Sequence, residues 1–482
     1  MDLRAGAAVV AARLAGAASR ALGRGGGTAL PGLIAERLAP QLLLHLSAQL
    51  PRGAVVITGT NGKTTTSHML ARILERAGLQ PLRNGSGSNL WRGVTTALAA
   101  RADVLGRLHV TPQTIGLFET DEAAFARVVP EARPRVVVVT NLFRDQLDRY
   151  GEVDAVASVW RVALDRLAVG DGQRDAASTT LVLNADDPTV AALGGTFAGR
   201  APLGRRIVYF GIEDQRLGAP GTEHASDAKT CPGCGARLEY ERSYYGHLGH
   251  YACTSGHRRP APLVLARRVE QRGFEGTDLQ LETPAGALDL RLPLPGLYNV
   301  YNALAAIAAA LEAGATLKAA QEGLERFSAA FGRLERVSVS GRNVYLVLAK
   351  NPVGMNEALR TVFADGAPKH LLMALNDLDA DGRDVSWIWD ADFEHVAGHL
   401  LSLVVSGRRA DDLLVRLKYA GALDGSTPVR HELQAELARA FDAAIERTAA
   451  GETLFCVLTY TAMIELRRVL TARGHTQAYW EE

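Results

Sequence analysis

Cysteine is scarce in this sequence, with four in 482 residues, too few for a disulfide framework in so long a chain. That scarcity sets the expectation of a reducing, cytoplasmic setting. Charge of one sign is equally lacking. Lys and Arg number 53 against 52 Asp and Glu, a net of +1, which excludes nucleic acid recruited by overall charge as the main partner. No block of like charge marks a disordered tail. No apolar run reaches the roughly 20 residues that a membrane-spanning helix needs. Residues 1–27 are rich in Ala, yet Arg4, Arg13 and Arg20 interrupt any continuous apolar core, so the stretch does not read as a signal peptide. It reads as an amphipathic helix packing on the first domain, with contact at a membrane surface as the alternative.

What remains is ordinary globular composition, 47% hydrophobic and 22% charged, at a length that suits two or three domains. The runs AVVITG (54–59), IGLFE (115–119), VVVVTN (136–141), LVLNAD (181–186) and RIVYFG (206–211) read as buried strands. Helical stretches at 64–78 and 156–167 separate several of them, the rhythm of a doubly wound α/β sheet covered on both faces. The rhythm stops near Gly218. A Cys-, His- and Tyr-rich segment occupies about 222–262, and helix returns at 298–315. From about Gly332, strands at 345–351, 370–377, 400–407 and 453–460 suggest a second, smaller α/β domain. The expected division is a helical segment over 1–50, a central domain over 51–331 and a C-terminal domain over 332–482.

Gly59-Thr60-Asn61-Gly62-Lys63-Thr64-Thr65 sits where the first strand ends and a helix opens. Small residues let backbone N–H groups close around phosphate oxygens, and the helix N-terminus adds positive potential. Lys63 would neutralise the β- and γ-phosphates of ATP, and the Thr64 hydroxyl would ligate Mg2+. The general phosphate-loop pattern asks for another glycine at position 57, where this chain has Ile57.

The form GTNGKTTT resembles the Mur ligase family, which joins amino acids or ammonia to cell-wall precursors, and other stretches follow in that family's order. LFETDEAAF (117–125) sets Glu119, Asp121 and Glu122 beyond a strand end, and the resemblance implies that Glu119 binds magnesium; a solvated acidic turn is the plain alternative. NADDP (184–188) resembles a further family element or, equally, an Asp-rich helix cap. GLYNVYNALAA (296–306) puts Asn299 and Asn302 one helical turn apart, and the resemblance implies that Asn302 contacts the adenine end of ATP. Gly332-Arg333 resembles the hinge whose arginine reaches the phosphates; the alternative is an exposed, salt-bridged Arg333.

Within the insertion, Cys231-Pro-Gly-Cys234 and Cys253-Thr-Ser255-Gly-His257 read as two knuckles of a tetrahedral, zinc-ribbon-like site. The relatives resembled here, the MurT-type ligases, would carry a cysteine at Ser255, and a serine hydroxyl is a poor zinc ligand. His257 is the expected fourth ligand, with His247 and His250 as other choices. A ribbon without metal, held by Tyr240, Tyr244, Tyr245 and Tyr251, is the competing reading. A closed four-ligand Zn2+ site would in any case be structural.

Residues 348–359, 375–394, 406–421 and 458–463 resemble the MurT-type C-terminal domain, with DGRDVSWIWD (381–390) the most specific match and Lys350 where several other Mur ligases have His. The resemblance implies that Asp384 orients the catalytic histidine of a partner subunit, as a carboxylate does by accepting an imidazole N–H. A turn aspartate capping its own loop is the alternative. Three cysteines belong to the ribbon and Cys456 lies in an apolar strand, so no Cys-His glutaminase is visible. The full implication is a P-loop Mur ligase central domain, a zinc-ribbon-like insertion and a Rossmann-like C-terminal domain. Together they would amidate the D-glutamate α-carboxylate of lipid II through an acyl phosphate. Ammonia would come from a GatD-type glutaminase bound as a heterodimer, at the inner face of the membrane. Two rivals stay open: another ligase of the superfamily, amino-acid-adding or folylpolyglutamate synthase-like, and a non-catalytic scaffold for the glutaminase.

Overall fold

The computed structural model describes residues 3–21, 29–85, 89–145, 152–168, 179–195, 206–221, 226–327, 333–423 and 430–476. In the first sheet, β1 (Ala54–Thr58), β2 (Gln80–Arg83), β3 (Thr114–Glu119), β4 (Val136–Val139), β5 (Thr180–Asn184) and β6 (Ile207–Ile212) run parallel. Apart from the edge strand β2, whose Gln80–Arg83 is partly exposed, their apolar sequences are explained by burial on both faces. Val56, Val137 and Val139 enter one core with Phe118 and Trp160, while Val55, Ile57, Val136 and Val138 enter the other with Ile73 and Leu304. Ile57, where the phosphate-loop pattern wants glycine, is simply one more paired strand residue, aligned with Glu119 on one side and Val138 on the other.

A hairpin of β7 (Leu238–Tyr245) and β8 (Leu248–Cys253) then leaves the sheet and forms a small sheet of its own. The chain returns as β9 (Val264–Gln271), parallel to β6, and closes the sheet with antiparallel β10 (Thr277–Thr283) and β11 (Gly286–Leu292). The order is β11-β10-β9-β6-β5-β4-β1-β3-β2. The strands β9 to β11 carry alternating apolar residues, Leu279 and Leu281 facing Leu288, Leu290 and Leu292 in the core. The rhythm read from the sequence stopped short of them. An Ala-rich helix, Leu297–Glu312, crosses the centre of this face fully buried from Ala303 to Ala310. Its small side chains admit the phosphate-loop helix Lys63–Arg76 alongside.

At the N-terminus, helices Leu3–Ala21, Ala29–Leu38 and Leu42–Ser47 pack on this body. Ala5, Ala8, Val9 and Ala12 are buried, and Arg13 donates to the Ala102 carbonyl at 3.2 Å, so the face read as amphipathic is covered by protein. No helix among the described residues is long and apolar enough to cross a membrane.

The second sheet comprises β12 (Arg333–Val339), β13 (Arg342–Leu348), β14 (Lys369–Ala374), β15 (Leu400–Ser406), β16 (Arg430–Leu433) and β17 (Thr453–Leu458). Its order is β12-β13-β17-β14-β15-β16, parallel except for the β12–β13 hairpin. Helices Pro352–Val362 and Ala410–Tyr419 cover one face, and Leu437–Arg447 and Tyr460–Ala472 the other. Phe274, from the loop between β9 and β10, stacks on Tyr345 and Phe455 with ring centroids 5.2 and 5.1 Å apart, joining the two bodies away from the cleft.

Candidate functional site

The loop between β1 and helix Lys63–Arg76 is shaped by close approach. Gly62 has φ +86°, and a Cβ there would lie 2.0 Å from the Asn302 Oδ1, so the position accepts no side chain. Asn302 thereby sits against the loop. Its Oδ1 accepts from the Thr66 hydroxyl at 3.3 Å and its Nδ2 donates to the Asn299 Oδ1 at 3.2 Å, while Asn299 donates to the Pro295 carbonyl at 2.8 Å. The one-turn spacing of the two asparagines therefore produces a fixed pair at the loop.

The three acidic residues after β3 have three separate tasks. Glu119 Oε1 accepts from the Thr64 hydroxyl at 2.9 Å, so the oxygens read as magnesium ligands converge. Asp121 caps helix Glu122–Ala132 by accepting from the Ala124 N–H at 2.7 Å. Glu122, buried, pairs with Lys63 at 3.0 Å. The Lys63 ammonium also donates to the Gly59 and Thr60 carbonyls, so its three protons are shared among three acceptors. Burial alone would push the Glu122 carboxyl up, but Lys63 and Lys350 overcome it and hold the pKa below the usual range.

The segment Asn141–Asp145, after β4, carries no motif that sequence reasoning singled out, yet it ties the site together. The Asn61 N–H donates to the Asn141 Oδ1 at 2.8 Å, and the Asn141 Nδ2 donates back to the Asn61 carbonyl at 3.0 Å. The Phe143 N–H donates to the Thr60 hydroxyl at 2.9 Å. Arg144 pairs with Asp227 and lies 3.5 Å from Asp390 of the C-terminal body. Asp145 pairs with Lys350, and its burial pushes its pKa up against the pull of that lysine. Asn351, whose side chain caps helix Pro352–Val362, also donates to the Asn61 Oδ1 at 3.3 Å. Between the bodies lies a cleft open to solvent, lined by Asn61, Tyr298, Asn302, Val347, Lys350 and Glu357 among others. Two cations, the two carboxylates paired with them and a hydroxyl–carboxylate pair thus gather around the loop beside this cleft, a constellation suited to gripping a nucleoside triphosphate.

Other expected residues fall elsewhere. Gly332 lies outside the described residues; Arg333 opens β12, and its side chain lies outside them too. Asp187 of NADDP caps helix Pro188–Ala192 through the Thr189 and Val190 N–H groups, the cap alternative. Asp186 binds Arg259 at 2.5 Å and the Tyr301 hydroxyl at 2.6 Å. Asp384 is exposed, and its Oδ1 accepts from the Ser386 N–H at 2.8 Å, which holds its pKa below the usual carboxylate range. It does cap its own turn; an ionised carboxylate still offers further lone pairs to a partner. Beside it in sequence, Trp389 is 52% exposed and stacks with Tyr419, itself 76% exposed.

At the open end of the β7–β8 hairpin, the donor atoms of Cys231, Cys234, Cys253 and His257 lie within 4.8 Å of one another. Cys231 Sγ is 3.3 Å from His257 Nδ1, and Cys234 Sγ is 3.7 Å from Cys253 Sγ. The Ala236 N–H and then the Ser255 hydroxyl hold the Cys234 thiol down at about 6. Ser255 thus stands close to Cys234, and His257 rather than Ser255 joins the three cysteines. His250 is engaged elsewhere, at 3.2 Å from the Tyr244 hydroxyl and 3.0 Å from the Ile212 carbonyl, and His247 is buried at the far end of the hairpin. Four soft or borderline donors in this span suit zinc in a closed tetrahedral set. Cys456, on β17, is fully buried with its pKa raised by burial, an inert core thiol.

Comparison with known proteins agrees with this geometry. Residues 57–230 match the Mur ligase middle domain and residues 348–463 the MurT ligase C-terminal model. The chain is 34% identical over 422 residues to the lipid II isoglutaminyl synthase (glutamine-hydrolyzing) subunit MurT of Staphylococcus aureus strain COL, covering 87% of this chain and 88% of that one. It is 32% identical over 477 residues to the subunit of the same name from Streptococcus pneumoniae strain ATCC BAA-255 / R6, covering 98% of each. Among solved structures, a pseudomurein peptide ligase type C from Methanothermus fervidus shares the fold, with TM-score 0.61 at 24% identity over 87% of this chain and 78% of its own. With identity above 30% along nearly its whole length and both bodies matched, the chain belongs to the Mur ligase family, on its MurT branch, and is a ligase.

Proposed function

We propose that this ligase amidates the α-carboxylate of the D-glutamate in the lipid II stem peptide, using ATP and ammonia. The observation that carries the reading is the clustering of Lys63–Glu122 and the Thr64–Glu119 pair on the loop 59–65, whose Asn61 and Gly62 line a cleft with Asn302 and with Lys350 of the other body. A carboxylate oxygen attacks the γ-phosphorus of ATP, the bond to ADP breaks, and an acyl phosphate forms. Ammonia then attacks the acyl carbon, phosphate leaves with the C–O electron pair, and one proton is lost to give the amide. Lys63 and Lys350 neutralise the transferred phosphoryl group. Thr64 and Glu119 would hold Mg2+, which supplies further charge neutralisation there, and Asn302 would meet the adenine end of the nucleotide. Closure of the cleft excludes water from the acyl phosphate. The relatives' name supports lipid II over the substrates of the other Mur ligases, and a lipid-linked substrate would bring the work to the inner face of the membrane. Full-length protein given ATP, Mg2+, lipid II and ammonium is expected to yield a product one mass unit lighter and one ADP per amide. An added amino acid in its place would move the chain to the amino-acid-adding branch.

A GatD-type glutaminase is the proposed ammonia source. With Cys456 sealed in the core, this chain offers no free thiol nucleophile among its described residues outside the ribbon. Exposed Asp384 lies just before the short 3-10 helix Ser386–Asp390, which carries exposed Trp389, the kind of rigid aromatic that anchors interfaces.

We assign zinc to Cys231, Cys234, Cys253 and His257 as a structural ion that stiffens the hairpin. The purified chain is expected to carry about one zinc, and His257→Ala to lower both zinc content and thermal stability. Metal analysis giving under about 0.2 zinc per parent chain removes the assignment.

A further inference from the structure

The hairpin's far end sits on the nucleotide loop's support. β7 and β8 join through a two-residue turn, Gly246-His247, with Gly246 at φ +56°. Glycine at the first turn position is what such a tight hairpin needs. A Cβ on Gly246 would lie 3.0 Å from the Phe143 ring and 3.5 Å from a methyl of Val353, so the turn wedges between the central and C-terminal bodies. Beside it, Tyr245 tilts over Phe143 at 6.0 Å and meets Tyr301 edge-on at 5.7 Å. Tyr245 also lines the cleft.

His247 is 0% exposed, its ring 4.6 Å from that of Phe143. Its Nε2 lies 3.3 Å from the Asp187 Oδ2. That approach lacks hydrogen-bond alignment, and neither ring nitrogen makes a hydrogen bond among the described residues. The same Asp187 oxygen accepts from the Leu142 N–H at 2.8 Å. Burial disfavours the imidazolium, yet Asp187, with Asp227 behind it, raises its pKa overall. The imidazole and the Asp187 carboxylate form a buried pair, whose desolvation is offset only by what the two groups contact. Here its neighbours are Leu142 and Phe143, and Phe143 in turn holds Thr60.

We propose that His247 is a positioning residue for the nucleotide loop: through Asp187 and Phe143 it fixes the segment Asn141–Asp145, and with it the backbone of Thr60 and Asn61. The inserted hairpin is then part of the ligase's working parts. From the Leu238–Cys253 pair to the Tyr245–Leu248 pair it spans seven residue steps, about 23 Å at strand rise, a strut from the cysteine cluster to the cleft. The inference rests on the reading of the cleft as a nucleotide site.

The test is calorimetric titration of the full chain with ADP and Mg2+. His247→Ala is expected to weaken binding about tenfold, equivalent to about 1.4 kcal/mol. His247→Gln, which keeps a polar N–H group facing the Asp187 carboxylate, is expected to recover to within about threefold of the parent. Phe143→Leu is expected to cost about threefold alone and nothing further in the His247→Ala background, because both act through one contact. Full additivity of the two, no recovery by Gln, or a folded His247→Ala with parental affinity would overturn the proposal. Should His247→Ala not fold, Phe143→Leu alone decides, and parental affinity there overturns it. A parent chain that takes up no nucleotide would overturn the reading of the site and this inference with it.

Discussion

Lys63→Ala is expected to lower ATP-dependent amide formation by at least about 10³-fold while leaving the chain folded. Removing a single preorganised charge from a developing phosphoryl transition state costs about 10²–10³ in rate. Lys63 is also the cation that would draw the nucleotide in, so binding suffers as well. Stability is the complication, because Lys63 and Glu122 are a buried pair, and breaking such a pair costs about 3–5 kcal/mol when the survivor stays charged. Glu122 need not stay charged. Its pKa is low only because the two lysines, Lys63 and Lys350, outweigh burial; without Lys63 the effect of burial is less opposed, and the carboxyl takes up a proton more readily. The variant should therefore melt lower than the parent but cooperatively. Coupled assays of ADP release and product mass, beside a thermal melt, separate the two effects. Amidation at more than about a tenth of the parental rate in a folded variant would remove Lys63 from the chemistry.

The parts of this site that were legible in the sequence are those whose function is local. A strand end, small residues and a helix start within 59–65 announce a phosphate loop, and Asn299 and Asn302 declare one helix face by their spacing. Glu119 was legible because it ends an apolar strand. What was not legible depends on distant pairing. Glu122 reaches back 59 positions to Lys63, and Asp145 reaches forward 205 positions to Lys350; neither separation leaves a trace in local pattern. Asn141–Asp145 looks like the frayed end of a strand, and only the fold brings it under Thr60 and Asn61. Ser255 was legible as a missing cysteine but not as a neighbour of Cys234, because the hairpin register sets that contact. The antiparallel strands β9 to β11 were legible in principle, since Leu288, Leu290 and Leu292 alternate as strand residues do. They follow a long polar insertion that hides the resumption of the sheet.

Asp384→Asn is expected to cut glutamine-driven amidation by about 10³-fold or more, with high ammonium restoring product to near the parental rate. The magnitude follows from what a carboxylate does for an imidazole: it fixes the tautomer and stabilises the cation, and the amide replacement in a serine-protease triad costs about 10⁴. Asp384 is exposed, with Ser386 occupying only part of its acceptor capacity, so it can serve a histidine on another protein without rearranging its own turn. Asn retains an oxygen for the Ser386 N–H, which keeps the turn intact and makes the substitution a test of charge and tautomer alone. Ammonium bypasses the glutaminase, so rescue places Asp384 upstream of the ligase step. Loss of activity that ammonium does not repair would mean that this carboxylate acts on the acyl phosphate itself. Unchanged activity with glutamine would mean that it only caps its loop. The three outcomes differ in which nitrogen source still works, and a single preparation of the complex, assayed with each source in turn, tells them apart.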